Sequence, residues 1–187
     1  PAVIDAVVQG YDTHASAVPL VVDPVMVAQS GDRLVSASAV EYLRQTLITR
    51  AALITPNLPE AEALLGTSIP NAEAMPEAAA ALLALGCGAV LLKGGHLTNS
   101  EEIVDILATP HGQTVYRHPR IETASDHGTG CTLASAIAEG IGHGLAMEDA
   151  VRRGREYLQK ALATAVPLGH GHGPVNHGHT VMPFGFS

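Results

Sequence analysis

The sequence predicts an α/β protein built around a mostly parallel sheet. Three short apolar runs alternate with segments of helical periodicity, and each run ends at a turn residue. The runs cover residues 19–23, 51–55 and 89–93, and they are followed by Pro24, Pro56 and Gly94. Near-continuous apolar strands of this length are typical of a parallel sheet that is covered on both faces, and proline cannot continue such a strand.

The segments between the runs predict helices. Residues 1–12 read as a helix that has no strand before it. Ser38 and Glu41 have the spacing of a capping box, and the apolar residues after Ser38 recur on one helical face. Another helix is predicted over 71–85, with Gly86 as its C-terminal cap. Strand–helix–strand units of this kind join parallel strands by right-handed crossovers.

The second half of the chain begins with a predicted hairpin. Residues 102–121 contain two apolar runs around the turn residues 109–112, which indicates two paired strands at a sheet edge. Helices are predicted over 129–143 and 147–165, and residues 169–177 form a Gly/His-rich loop. The length of 187 residues favours a single domain over 1–187.

Composition argues against several classes of protein. A formal net charge of −8 does not suit a nucleic-acid-binding surface. The two cysteines, Cys87 and Cys131, form no CxxC pair and therefore indicate neither a disulfide framework nor a thiolate zinc site. The same cysteine usage favours a reducing, cytoplasmic location. No long apolar run is present, so we expect no membrane partner. The histidines of residues 170–179 are separated by glycines that fix no geometry, and we expect no metal site there.

The first candidate site is the stretch Gly128-Thr-Gly-Cys131, where a polar loop changes into an Ala-rich helix. Glycines let the backbone turn closely around a ligand, and the first N–H groups of a helix lack internal partners and attract anions. Taken alone, the two glycines are equally consistent with the start of a close-packed helix. Cys131 could act there as a base, a nucleophile or part of an anion hole, or it could be a small packed residue.

A second candidate site lies at the carboxyl ends of the predicted strands, where ligands bind in open α/β sheets. Lys93 is one of two lysines, and the glycines after it leave space for a phosphate group. Asp23, Asn57 and Glu60 offer oxygen atoms that could hold Mg²⁺ through water. Alternatively, Asn57 and Glu60 form only a helix cap with its first-turn carboxylate, which their spacing alone favours.

Five motifs in this order resemble those of the hydroxymethylpyrimidine and phosphomethylpyrimidine kinases of thiamine biosynthesis. They are Asp23-Pro-Val-Met-Val, Thr55-Pro-Asn-Leu-Pro-Glu-Ala-Glu62, Leu92-Lys-Gly-Gly-His96, His127-Gly-Thr-Gly-Cys-Thr-Leu133 and Gly171-His-Gly-Pro-Val175. The resemblance implies a ribokinase-like fold, a three-layer α/β/α sandwich with a mostly parallel central sheet. It also implies ATP-dependent phosphorylation of 4-amino-5-hydroxymethyl-2-methylpyrimidine and its monophosphate, Mg²⁺ as cofactor, and a family in which homodimers are common.

The resemblance also implies a role for each residue of the phosphoryl-transfer centre. Backbone N–H groups around Gly128, Gly130 and Cys131 would form the anion hole, and Thr129 and Gly130 would contact the nucleotide. Cys131 takes the position of the aspartate base of sugar-kinase relatives and would assist deprotonation of the substrate hydroxymethyl group.

The remaining implied roles belong to the sheet edge. Lys93 would contact the ATP phosphates, with Asn57 beside the nucleotide. Asp23 and Glu60 would organise Mg²⁺ and its waters. Val25 would form one wall of the pyrimidine pocket.

The chain departs from the family pattern in two places. The Gly/Ser-rich N-terminal segment that supplies much of the substrate pocket and a lid has no match, so we expect the domain to be N-terminally truncated. Ser125-Asp126 also replaces the commoner Asn-Thr. The missing segment leaves a nucleotide-binding fragment without turnover as one alternative to the pyrimidine kinase. A pyridoxal kinase is another, because some members of the same family accept the similar alcohol of vitamin B6. Acyl chemistry by Cys131 and His127 is a third, but these two residues have no orienting third group.

Overall fold

The computed structural model describes residues 1–26, 35–97, 101–167 and 170–181. Val27 of the first motif and Gly169 of the C-terminal loop lie outside the described residues. The chain forms two compact units, Pro1–Arg120 and Ile121–Ser187. Among the helices described, none combines the length and the apolarity needed to cross a lipid bilayer.

The first unit alternates helices and strands as predicted. Its elements are α1 (Ala2–His14), β1 (Val21–Val22), α2 (Ala37–Thr46), β2 (Leu53–Ile54), α3 (Leu58–Leu65), α4 (Met75–Leu83), β3 (Val90–Lys93), β4 (Glu102–Thr109) and β5 (Gly112–Pro119). Short 3₁₀ turns cover Ile48–Arg50 and Ala72–Ala74. β1 and β2 are only two residues long, and both runs stop before a proline, which has no N–H to donate to a neighbouring strand.

The five strands form one sheet in the order β1-β2-β3-β4-β5. β1, β2 and β3 are parallel, with Val21 opposite Leu53 and Ile54 opposite Val90. β4 pairs antiparallel with both β3 and β5. The α/β fold and the hairpin are confirmed, and the carboxyl ends of three parallel strands therefore lie at one edge of the sheet.

The core of this unit explains the near-continuous apolar runs. Side chains of six strand residues join α3 and α4 in one apolar cluster. It includes Val22, Ile54, Val90, Leu92, Ile106 and Ala108 on the strands, and Leu64, Met75 and Leu82 on the helices. The alternate residues Leu53, Leu91 and Leu107 are also buried. Since successive side chains of a strand point to opposite faces, the strands are buried on both sides.

The predicted cap of α2 is wrong by two residues. The N-cap is Ser36, whose Oγ accepts a hydrogen bond from the Ala39 N–H at 3.3 Å. Ser36 has the extended backbone angles of a cap, whereas Ser38 already lies inside the helix, with its Oγ 3.0 Å from the Ser36 Oγ. Glu41 instead accepts a hydrogen bond from Gln45.

The second unit contains α5 (Thr129–Gly142), α6 (Met147–Ala163) and a 3₁₀ turn, His177–Thr180. α5 and α6 approach closely where glycines replace side chains. A Cβ atom on Gly154 would lie 2.7 Å from Ile137 Cγ1, and one on Gly140 would lie 3.2 Å from Ala150 Cβ. Glycine at these positions therefore sets the distance between the two helices.

We expect Gly154→Ala to lower the free energy of unfolding by about 1–3 kcal/mol, because the added methyl group overpacks the helix contact. Gly142→Ala is the matched control, since no atom beyond its chain neighbours and its own helix backbone lies within 4 Å of a Cβ built there. Urea unfolding followed by circular dichroism measures both variants. Equal stability of the two variants would contradict the close-packing argument.

Candidate active site

A reciprocal cap at the start of α3 joins Asn57 and Glu60. Asn57 Oδ1 accepts a hydrogen bond from the Glu60 N–H at 2.9 Å, and Glu60 Oε2 accepts one from the Asn57 N–H at 2.8 Å. This is a complete capping box. The helix-cap interpretation of these two residues is therefore confirmed, and any further role must be compatible with it.

The carboxyl group of Glu60 is buried, which is unusual for an acid. Glu60 is only 3% exposed. Burial raises the pKa of Glu60 above its ordinary value, although the Asn57 N–H and the Lys93 ammonium act in the opposite direction. Asp23 adds to the rise by like-charge repulsion. Glu60 is thus a buried acid whose charge responds to what lies at the sheet edge.

Asp23, Thr55 and Lys93 form a polar row across the ends of the parallel strands. Asp23 Oδ1 accepts hydrogen bonds from Thr55 Oγ1 at 2.8 Å and from Lys93 Nζ at 3.0 Å. The Asp23 and Lys93 side chains are each 15% exposed. The Lys93 N–H donates to the Pro56 carbonyl at 2.9 Å, which continues the β2–β3 pairing. Lys93 is therefore held at the edge by both its backbone and its side chain.

The turn at the end of β3 is held by two residues from the hairpin side of the sheet. The Gly94 N–H donates to Oδ1 of the buried Asp105 at 3.0 Å. Arg120 donates to the carbonyl groups of Gly95 at 3.1 Å and Leu97 at 2.6 Å. The glycines after the lysine thus form an anchored turn.

Sequence reasoning assigned no site role to Thr55, Asp105 or Arg120. A signal for Asp105 was present, because it is the one charged residue inside the apolar run 103–107. No local pattern marked Arg120, since its partners are distant in sequence. Thr55 ends an apolar run and begins the second motif, but nothing local indicates its bond to Asp23.

In the second unit, the predicted anion site is the N-terminus of α5. Gly128 precedes α5 with a left-handed backbone, φ 85°, and no side chain in the described part of the chain caps the helix. The first bond of the helix runs from the Thr132 N–H to the Gly128 carbonyl at 2.9 Å. The N–H groups of Thr129, Gly130 and Cys131 precede that bond and are oriented for an anion. The Cys131 side chain is exposed.

The structure therefore groups the predicted residues into two sets. Asp23, Asn57, Glu60 and Lys93 meet at the sheet edge of the first unit. Residues 128–131 begin α5 in the second unit. Val25 lies two residues after Asp23 in the chain and is 46% exposed.

The C-terminal histidines contact protein groups. His172 Nδ1 lies 2.7 Å from Asp126 Oδ1. His177 and His179 lie beside the ring of Tyr157. Within the described ranges, no three metal-binding side chains are grouped in a way that could hold an ion.

Comparison with known proteins decides the family. A family model described as phosphomethylpyrimidine kinase matches residues 1–176. This chain belongs to the phosphomethylpyrimidine kinase family. It is 48% identical over 163 residues to the hydroxymethylpyrimidine/phosphomethylpyrimidine kinase of Escherichia coli, covering 86% of this chain and 61% of that protein. The resemblance seen in the five motifs is confirmed, and the chain spans about three-fifths of the length of that relative.

Solved structures of the family's relatives share the ribokinase-like fold. The phosphomethylpyrimidine kinase of Clostridium difficile matches with a TM-score of 0.74 and 37% identity, covering 86% of this chain and 64% of that one. An ADP complex of Bacillus subtilis pyridoxal kinase matches with a TM-score of 0.86 and 28% identity, covering 97% and 68%. The ribokinase-like fold predicted for this family member is therefore confirmed.

The two cysteines should react very differently with iodoacetamide. Burial raises the pKa of the Cys87 thiol to about 11, whereas Cys131 is exposed. We expect alkylation of Cys131 alone in the native protein at pH 8, and of both thiols in urea, as measured by peptide mass spectrometry. Native labelling of Cys87 at a similar rate would contradict the described environments.

Glu60→Gln should change how stability depends on pH. A carboxyl whose folded-state pKa is raised contributes stability at low pH and loses it as pH rises from 4.5 through the folded-state pKa. Glutamine can keep the cap without the charge. We therefore expect the variant to gain stability relative to the parent protein as the pH rises above 4.5, by urea unfolding. A constant difference across this range would contradict the assignment.

Proposed function

We propose that this chain carries the nucleotide-handling site of a kinase that phosphorylates 4-amino-5-hydroxymethyl-2-methylpyrimidine and its monophosphate with ATP, in thiamine biosynthesis. The observation that carries the proposal is the family match over residues 1–176, which includes both sets of site residues. The uncapped N-terminus of α5 supports it, because phosphoryl transfer depends on positioning and charge neutralisation more than on covalent chemistry.

In this proposal the α5 N-terminus binds the transferred phosphoryl group. The N–H groups of Gly130 and Cys131, with the turn at Gly128, stabilise the charge that develops on its oxygens. Thr129 and Gly130 contact the nucleotide. Cys131, which is exposed at this turn, assists removal of the proton from the hydroxyl group that attacks the terminal phosphate of ATP.

Lys93 binds the ATP phosphates in the same proposal, and Asn57 lies beside the nucleotide. An ammonium group has three donors, and the bond to Asp23 uses one of them. Lys93 can therefore keep its ion pair while it donates to phosphate oxygens. Val25 contributes to the pocket for the pyrimidine.

Asp23 and Glu60 are the residues proposed to face Mg²⁺. Oδ1 of Asp23 already accepts from Lys93 and Thr55, and Oε2 of Glu60 accepts from the Asn57 N–H. Because these oxygens already accept hydrogen bonds, they suit an ion that they contact through water. Mg²⁺ usually keeps several waters and is bound together with substrate phosphates. When bound, Mg²⁺ would neutralise phosphate charge.

A pyridoxal kinase is the second candidate, because the described fold matches the Bacillus subtilis pyridoxal kinase with a TM-score of 0.86. Its substrate is also an alcohol on a heteroaromatic ring. The ratio of kcat/KM for the pyrimidine alcohol and for pyridoxal, measured on one preparation, decides between the two. A nucleotide-binding fragment without turnover would bind ATP in a titration and phosphorylate neither alcohol.

We expect Cys131→Ala in the complete protein to lower kcat by about two to four orders of magnitude, the usual contribution of acid–base catalysis. ATP binding should change little, because the backbone donors remain. Cys87→Ala is the control, since that thiol is buried in the first unit. A coupled assay for ADP and an ATP titration measure the two quantities. Near-normal turnover of Cys131→Ala would overturn the role of this thiol.

A further inference from the structure

The C-terminal motif pairs with the residues that lead into the phosphate-binding turn. The Gly173 N–H donates to the Ala124 carbonyl at 2.7 Å, and the His127 N–H donates to the Gly173 carbonyl at 2.9 Å. The Val175 N–H then donates to the His127 carbonyl at 3.4 Å, and His127 forms a parallel bridge with Pro174. Both backbone groups of the residue before Gly128 are thus held by this segment.

The pairing brings Gly173 against the buried side chain of Ser125. Ser125 is 0% exposed, and its hydroxyl has no hydrogen-bond partner among the described residues. A Cβ atom on Gly173 would lie 2.9 Å from Ser125 Oγ but 3.6 Å from the Ser125 Cα and Cβ. The serine hydroxyl is therefore the group that a side chain at position 173 would meet first.

The neighbouring side-chain contact contributes less to this pairing. His172 Nδ1 lies 2.7 Å from Asp126 Oδ1, but the two side chains are 65% and 41% exposed. Exposed ion pairs of this kind are weak because water and salt screen them. The backbone bonds and the close approach of Gly173 to Ser125 are therefore the main features of this pairing.

We propose that Gly173 is a positioning residue for the phosphate-binding turn of residues 128–131. Its missing side chain lets the segment 171–175 approach Ser125 and hold His127 by both backbone groups. Gly128, next in the chain, then directs the first N–H groups of α5. The effect on turnover rests on the proposed kinase function, whereas the effect on backbone order does not.

A double-mutant cycle tests the proposal in the complete protein. Gly173→Ala should lower kcat about 10- to 100-fold with little change in KM for ATP, since small misplacements of catalytic groups have effects of this size. Ser125→Ala removes the oxygen that the new methyl group would meet. In the Ser125→Ala background, Gly173→Ala should therefore change kcat by less than about threefold. Gly171→Ala is the control, because no atom lies within 4 Å of a Cβ built there.

Residue-level hydrogen exchange supplies a readout that does not need turnover. The amide of His127, bonded to Gly173, and that of Thr132, bonded to Gly128, should lose protection in Gly173→Ala and regain it in the double variant. Circular dichroism shows whether each variant is folded.

Three results would overturn the positioning role. The first is a kcat and an amide protection in Gly173→Ala that equal those of the parent protein. The second is failure of the Ser125→Ala background to restore kcat and protection, and the third is an equal loss of kcat and protection in Gly171→Ala. If the parent protein has no turnover, the proposed function fails, and the exchange cycle alone decides the role of Gly173.

Discussion

The ion pair between Asp23 and Lys93 is the interaction on which the sheet edge depends. It joins residues separated by 70 positions in the chain and spans the ends of β1, β2 and β3, with Thr55 donating to the same oxygen. Both side chains are largely buried, so loss of either one would leave an uncompensated charge in poorly solvated surroundings. The pair therefore holds together the three loops that carry the first set of site residues.

The two sets of site residues present different kinds of polar group: paired side-chain charges in one, and backbone N–H groups in the other. At the sheet edge, side-chain charges are arranged by pairing: Lys93 with Asp23, and Glu60 with backbone N–H groups. At the start of α5, the donors are backbone N–H groups, which carry no net charge and need no counter-ion. In the proposed function, a chain with a net charge of −8 therefore binds phosphate groups locally without a basic surface.

Local rules predicted most of the fold. Prolines marked the ends of β1 and β2, the hairpin followed from two apolar runs around a turn, and the starts of α5 and α6 were predicted at Thr129 and Met147. The capping box of Asn57 and Glu60 was also visible from spacing alone. The error at Ser38 has a simple cause, because Ser36 and Ser38 are both acceptable caps by residue type, and only the backbone angle at Ser36 selects it.

The sequence by itself determined the order of elements, the family motifs and the sheet edge at which Asp23 and Lys93 end their strands. Only the tertiary structure decided which groups are partners: that Lys93 binds Asp23, that Asp105 and Arg120 anchor the turn at the end of β3, and that Gly173 lies against Ser125. The physical reason is the sequence distance over which each kind of interaction acts. Propensity, capping and turn chemistry act over a few residues, whereas these contacts join segments 11 to 70 residues apart and depend on strand register and on how closely backbones approach.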